Sequence, residues 1–166
     1  MATPEVSIHP LQTAEEARAC ARIMATSEPW LTLRRSFDDC LRLVSDPAKE
    51  VYVAYARSAL VGFVILHLRG PFNGYLQTIA VFPESRRQGI GQTLIRFAEQ
   101  RIFRESPNVF LCVSSFNADA RKLYARLGYD QVGELKDYLV EGYSEILMRK
   151  TLGPWAEFTP GPRLGV

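Results

Sequence analysis

The segment Arg86-Arg87-Gln88-Gly89-Ile90-Gly91 puts two arginines and two glycines where an apolar strand pattern gives way to a helical one. A strand from Tyr75 to Phe82 is expected to feed a loop, Pro83 to Gln88, and a helix to open at Gly89. The first N–H groups of a helix have no internal acceptor and point outward. With the helix dipole behind them they attract anions. Gly89 and Gly91 present no side chain, so a pyrophosphate can approach the backbone, and Arg86 and Arg87 bring positive charge. A ligand with several phosphates explains glycine and arginine together. A plain strand-to-helix connection with solvated arginines is the bland alternative. Other phosphate motifs fit worse: in a GxGxxG reading the third glycine falls at Leu94, and no GxxxxGK[ST] or GxSxG is present.

A second group of polar and aromatic residues lies downstream: Asn117, Ala120, Leu123-Tyr124 and Gly128-Tyr129. A tyrosine with an ordinary pKa near 10 is protonated at neutral pH and can hand over a proton. Tyr124 also fits a core aromatic on a buried helix face. The pairs Glu15-Glu16 and Asp38-Asp39 are adjacent on helices, so their side chains diverge and read as solvated faces. Cys20, Cys40 and Cys112 are widely spaced, with no CxxC pair, and read as free thiols. His9 and His67 lack partners at metal-ligand spacing, so no metal is expected.

The elements that must position these residues belong to a chain of 166 residues, 47% apolar and 23% charged, which suits one globular domain. The expected division is a domain over 1–150 and an irregular tail over 151–166, rich in Gly and Pro. A net charge of +2 is too weak to argue for nucleic acid. The apolar run Ala59 to Leu66 is far shorter than the roughly 20 residues a membrane span needs. Met1 to Ile8 lacks the basic-then-apolar pattern of a secretion signal, so a cytoplasmic location is expected.

The hydrophobic period predicts an opening strand over Glu5–His9 and a helix behind Thr13. A second helix is expected to start at Thr32 and end at Asp46-Pro47. Strands Val51–Ala56 and Ala59–Leu68 are expected to join in a hairpin at Arg57-Ser58. Gly70-Pro71 and Asn73-Gly74 read as turns before the strand Tyr75–Phe82. A helix carrying Ile90, Leu94, Phe97 and Ile102 follows, then strand Val109–Ser114. A helix capped by Asn117 and closed by Gly128 comes next, then strands Tyr129–Leu135 and Tyr143–Met148. The order β-α-α-β-β-β-α-β-α-β-β implies an α/β fold with a mixed sheet and helices on both faces.

Arg86-x-x-Gly89-x-Gly91 on a strand-loop-helix, followed by Asn117-x-x-Ala120-x-x-Leu123-Tyr124-x-x-x-Gly128-Tyr129, resembles the two signatures of the GCN5-related N-acetyltransferase (GNAT) superfamily. The resemblance covers roughly Val6 to Lys150 and is nearest in feel to the ribosomal-protein alanine acetyltransferases. It implies a mostly antiparallel mixed sheet and a direct acetyl transfer from acetyl-coenzyme A to an amine in a ternary complex, without a metal. It further implies that Ile79, Ala80 and Val81 offer backbone groups to the pantetheine arm and acetyl carbonyl. Arg86, Arg87, Gln88, Gly89, Ile90, Gly91 and Gln92 would hold the pyrophosphate. Asn117 would touch the pantetheine, and Tyr124 would face the sulfur as general acid. A monomer or homodimer is expected.

The proton acceptor is not evident. Cys112 stands where the ribosomal-protein alanine acetyltransferases carry a glutamate, and neither Tyr75–Ile79 nor Phe110–Val113 contains Asp or Glu. Three accounts stay open: ordered water held by backbone carbonyls and Gln77 or Tyr75, a carboxylate from elsewhere such as Glu28 or Glu141, or an acceptor amine of low pKa such as an α-amine. The acceptor groove is expected to involve Glu28, Trp30, Tyr75 and Gln77; the Pro29-Trp30 pair is similar to one in the ribosomal-protein alanine acetyltransferases, which implies a peptide amine, while Trp30 also fits an aromatic that simply packs over the core. A non-catalytic acyl-coenzyme A-binding regulatory module is the alternative from another class.

Overall fold

The computed structural model describes residues 5–162. Its elements run β1 (Val6–Pro10), α1 (Ala14–Ala25), α2 (Phe37–Val44), β2 (Glu50–Ala56), β3 (Ala59–Arg69), β4 (Asn73–Val81), α3 (Ile90–Ile102), β5 (Asn108–Ser114), α4 (Ala118–Arg126), β6 (Asp130–Lys136) and β7 (Ser144–Thr151). This is the mixed α/β order that the hydrophobic periods predict. The chain divides into two compact units. One comprises the residues up to His67 with Leu76–Gln100; the other comprises Leu68–Tyr75 with the residues from Arg101 onward.

In the first unit the ladder runs β1-β2-β3-β4. The β2–β3 hairpin closes on Ala56 opposite Ala59, with Arg57 at φ 58° in the two-residue turn. Helix α1 starts in a capping box: Thr13 accepts from the Glu16 N–H, and Glu16 reaches back to the Thr13 N–H. Cys20, Ala21 and Met24 of α1, Cys40 and Val44 of α2, Val53 of β2, Phe63 and Ile65 of β3 and Ala80 of β4 form its core. At Gly62 a β-carbon would sit 2.7 Å from the Ala80 carbonyl and 3.0 Å from a Leu94 methyl. Glycine is what lets β3 and α3 lie so close to β4.

The second helix starts later than the sequence predicts, at Phe37, with Ser36 as its cap. Thr32 serves another turn: its N–H and hydroxyl both donate to the Glu28 carboxylate, at 3.1 and 3.0 Å. Arg34, at φ 54°, ends that turn. A local side-chain acceptor thus outcompetes helix extension.

In the second unit the first residues of β4 pair in parallel with β5, Tyr75 opposite Phe110. Strand β5 pairs antiparallel with β7, and β7 with β6, so the order is β4-β5-β7-β6. Among the described ladders β4–β5 is the parallel one, as a helical crossover such as α3 requires. Asn73-Gly74 is not the turn its composition suggests but the start of β4. Gly74 is buried at φ 87°, and a β-carbon there would collide with the Asn108 carbonyl. Asn117 caps α4 by accepting from the Ala120 N–H, and Gly128 follows its end at φ 90°. The segment expected to be irregular from Thr151 holds a short turn, Trp155–Glu157, and the Gly161 N–H donates to the Arg104 carbonyl at 2.9 Å.

Candidate active site

The first unit carries the Arg86–Gly91 turn that the sequence reads as a phosphate site. Strand β4 ends at Val81, a single 3-10 turn spans Pro83–Ser85, and α3 begins at Ile90. Arg87 and Gly89 have positive φ, 60° and 81°, with Gln88 between them. A left-handed backbone of this kind turns successive N–H groups toward one concavity, which favours an anion. Residues Arg86 to Gly89 are exposed, so the turn is open to a ligand. The two arginines differ. The Arg86 guanidinium folds back and donates to the Val81 carbonyl at 3.1 Å, locking the turn to the end of β4. Arg87 has no protein partner among the described residues. Gly89 is needed for its φ; Gly91 is not under that constraint, and a β-carbon there would make an ordinary 3.7 Å contact with Val81. The free helix-end N–H groups and the unpaired Arg87 fit a polyphosphate.

On β4, burial alternates. Leu76, Thr78 and Ala80 face the interior, while Gln77, Ile79 and Val81 line a half-open face. The carbonyl oxygen of the Gln77 side chain is buried there without a hydrogen-bond partner. Such an atom calls for a donor. Of the other groove residues, Trp30 is half-buried and packs against the first unit's core. Glu28 is exposed, with its carboxylate engaged by Thr32.

The second unit supplies Asn117 and Tyr124. The Asn117 side chain is engaged as the helix cap. Tyr124 is 6% exposed on α4, its ring edge-to-face with Tyr129 at 5.5 Å between centroids. Burial raises its pKa, so it stays protonated at neutral pH. Its hydroxyl has no hydrogen-bond partner among the described residues, which leaves its proton available.

A further polar cluster in this unit is not evident in the sequence. Val109, Leu111 and Val113 of β5 and Ile146 and Met148 of β7 are buried on one face. The opposite face presents Phe110, Cys112 and Ser114, with Ser114 opposite Glu145 and Cys112 opposite Leu147. The Ser114 hydroxyl donates to Glu145 Oε1 at 2.6 Å. Tyr75, beside Phe110, places its hydroxyl against Cys112, and the charge of Glu145 reaches both. Burial raises the pKa of Glu145, and the Ser114 hydrogen bond offsets this only in part. Burial likewise raises Cys112 and Tyr75, keeping both protonated at neutral pH. The signal for Glu145 is a lone carboxylate in the apolar strand Tyr143–Met148, but its cross-strand partner is not readable from one chain. Glu141, in the connection before β7, is exposed.

No group of three or more His, Cys, Asp or Glu side chains that could hold a metal occurs among the described residues. No helix there is long and apolar enough to cross a membrane.

The model of the Acetyltransferase (GNAT) family matches residues 11–129. An N-alpha-acetyltransferase of Sulfurisphaera tokodaii is 30% identical over 115 residues, spanning 61% of this chain and 68% of that protein. Two solved structures share the fold. The ribosomal-protein-S18-alanine N-acetyltransferase from Escherichia coli has a TM-score of 0.72 at 20% identity, covering 92% of this chain and 97% of that one. The spermidine N-acetyltransferase from Vibrio cholerae has a TM-score of 0.69 at 21% identity, covering 88% and 95%. The matched span holds both the Arg86–Gly91 turn and the Asn117–Tyr129 signature, and by it the chain belongs to the acetyltransferase (GNAT) family, whose members transfer acetyl groups.

Proposed function

We propose that this enzyme moves an acetyl group from acetyl-coenzyme A to the α-amine of a peptide or protein N-terminus, by direct attack in a ternary complex. The observation that carries the acceptor class is the 30% identity over 115 residues to an N-alpha-acetyltransferase. The geometry agrees with it. The half-open face of the second unit is lined by Tyr75 and Phe110 rather than by a cluster of acids, which suits one amine on an apolar stem better than a polycation.

Acetyl-coenzyme A supplies the thioester. The turn from Arg86 to Gln92 holds its pyrophosphate through backbone N–H groups, with Arg87 adding charge. Backbone groups at Ile79, Ala80 and Val81 position the pantetheine and the acetyl oxygen, where an N–H donor stabilises developing negative charge. Asn117 caps α4 and so fixes the helix that carries Tyr124. Tyr124 gives its proton to the departing sulfur.

Saturating acetyl-coenzyme A should raise the melting temperature, since ligand at 100 times its Kd stabilises by about 2.7 kcal/mol. Thiol release should then be scored on a panel of N-terminal peptides, polyamines and aminoglycosides. Peptides with a free α-amine should be the best acceptors. An unchanged melting temperature at millimolar coenzyme removes the coenzyme assignment. A polyamine or aminoglycoside outrunning every peptide removes the acceptor assignment.

A further inference from the structure

We infer that Glu145, a carboxylate on β7, is the catalytic base that takes the proton from the attacking amine, with Ser114 and Tyr75–Cys112 fixing its surroundings; this rests on the acetyl-transfer reading above.

The chemistry requires an acceptor, because an α-amine with a pKa near 8 is mostly an ammonium at neutral pH. The strands β4 and β5 offer no carboxylate at their half-open face. Strand β7 does, because it lies beside β5 and places Glu145 opposite Ser114. The side chain is 5% exposed, yet no cation pairs with it among the described residues. An unpaired buried carboxylate is costly to keep. It accepts a hydrogen bond from Ser114 at 2.6 Å, the short distance expected when a hydroxyl donates to an ionised oxygen. The groups facing it are Tyr75 from β4 and Cys112 and Ser114 from β5, none of them a competing acid or base at neutral pH. From β6 the residue opposite is Leu135. A raised pKa places the carboxylate closer to the operating pH, where a base is most effective.

The ammonium gives one proton to Glu145, which returns it to water. The freed lone pair on nitrogen forms the C–N bond as the C–S bond breaks, and the bonding pair leaves on sulfur. Tyr124 protonates that sulfur and recovers a proton from the nitrogen, which ends as a neutral amide.

The test is Glu145→Gln, which keeps the shape and can still accept from Ser114. Its acetylation rate at pH 7 should fall by about 10²-fold or more. The loss should shrink at least tenfold by pH 9, where the amine is neutral without help, because the acid limb of the profile moves to the amine's own titration near pH 8. The acetyl-coenzyme A-induced rise in melting temperature should be unchanged, and Glu145→Asp should recover part of the rate. A rate within threefold of wild type at pH 7 overturns the assignment. So does an equal loss at pH 7 and pH 9, or a loss that follows a lowered melting temperature. A wild-type enzyme that binds the coenzyme but acetylates no amine overturns the transfer reading itself, and this assignment with it.

Discussion

The two units each bury a glutamate, and the two are satisfied differently. Glu16, in the first unit, is 8% exposed; Glu145, in the second, is 5% exposed. Glu16 accepts from the Gln12 N–H at 2.8 Å, the Thr13 N–H at 3.1 Å and the Tyr55 hydroxyl at 3.1 Å. Burial alone would raise its pKa, but these donors together hold it below the ordinary value of 4.5. Glu145 has the Ser114 hydroxyl, and there burial wins. The same side chain is a structural clasp where backbone donors surround it and a reactive group where they do not. The contrast recurs in the arginine pair, where Arg86 is spent on the Val81 carbonyl and Arg87 is not.

The comparison sorts residues into those whose loss should cost stability and those whose loss should cost function. The largest functional effect outside the cluster is expected at Tyr124. Tyr124→Phe should lower turnover by about 10²-fold, with acetyl-coenzyme A affinity and melting temperature nearly unchanged. An unchanged turnover would show that a hydroxyl without a partner need not be catalytic. Glu16→Ala should do the reverse. Removing a capping box and a buried acceptor costs about 2 kcal/mol, or roughly 4–8 °C in Tm, with kinetic constants intact.

A pH series of melts sharpens the contrast, because the two glutamates carry opposite signs. The contribution of Glu16 is present above its ordinary value of 4.5 and is lost as pH falls through its lowered folded pKa. The contribution of Glu145 is present below that value and is lost as pH rises through its raised folded pKa. Glu16→Gln should therefore melt furthest below wild type at neutral pH and converge with it in acid. Glu145→Gln should gain on wild type as pH rises. The smallest effect is at Arg87: Arg87→Ala should weaken acetyl-coenzyme A binding by up to about fivefold, less at high salt, as measured by titration calorimetry.

Much of the fold was legible because it rests on local signals. Thr13 with Glu16, Asn117 with Ala120, Gly128, and the two-residue gap at Arg57-Ser58 each announce an element boundary in one short stretch. Elsewhere tertiary packing, or a competing local acceptor, overrides composition. Asn73-Gly74 has turn chemistry but is held in β4 by the close approach of Asn108. Thr32 can cap a helix, but Glu28 claims it first. The strand-loop-helix at Arg86–Gly91 was legible as a motif, and its backbone takes positive φ at Arg87 and Gly89. The base was not legible, because Ser114 and Glu145 are 31 residues apart in sequence and meet only through the β5–β7 ladder.

That ladder also sets which length changes the gene can accept. In a strand, a shift of one position turns every side chain to the opposite face. One residue gained or lost within Ser144–Thr151 would swing position 145 toward the side where Ile146 and Met148 are buried. One residue gained in the connection 137–143 is absorbed before the strand begins, and the pairing of Glu145 with Ser114 is kept. Among descendants of this sequence, changes of length should therefore fall in the 137–143 connection more often than in β7, which keeps its count.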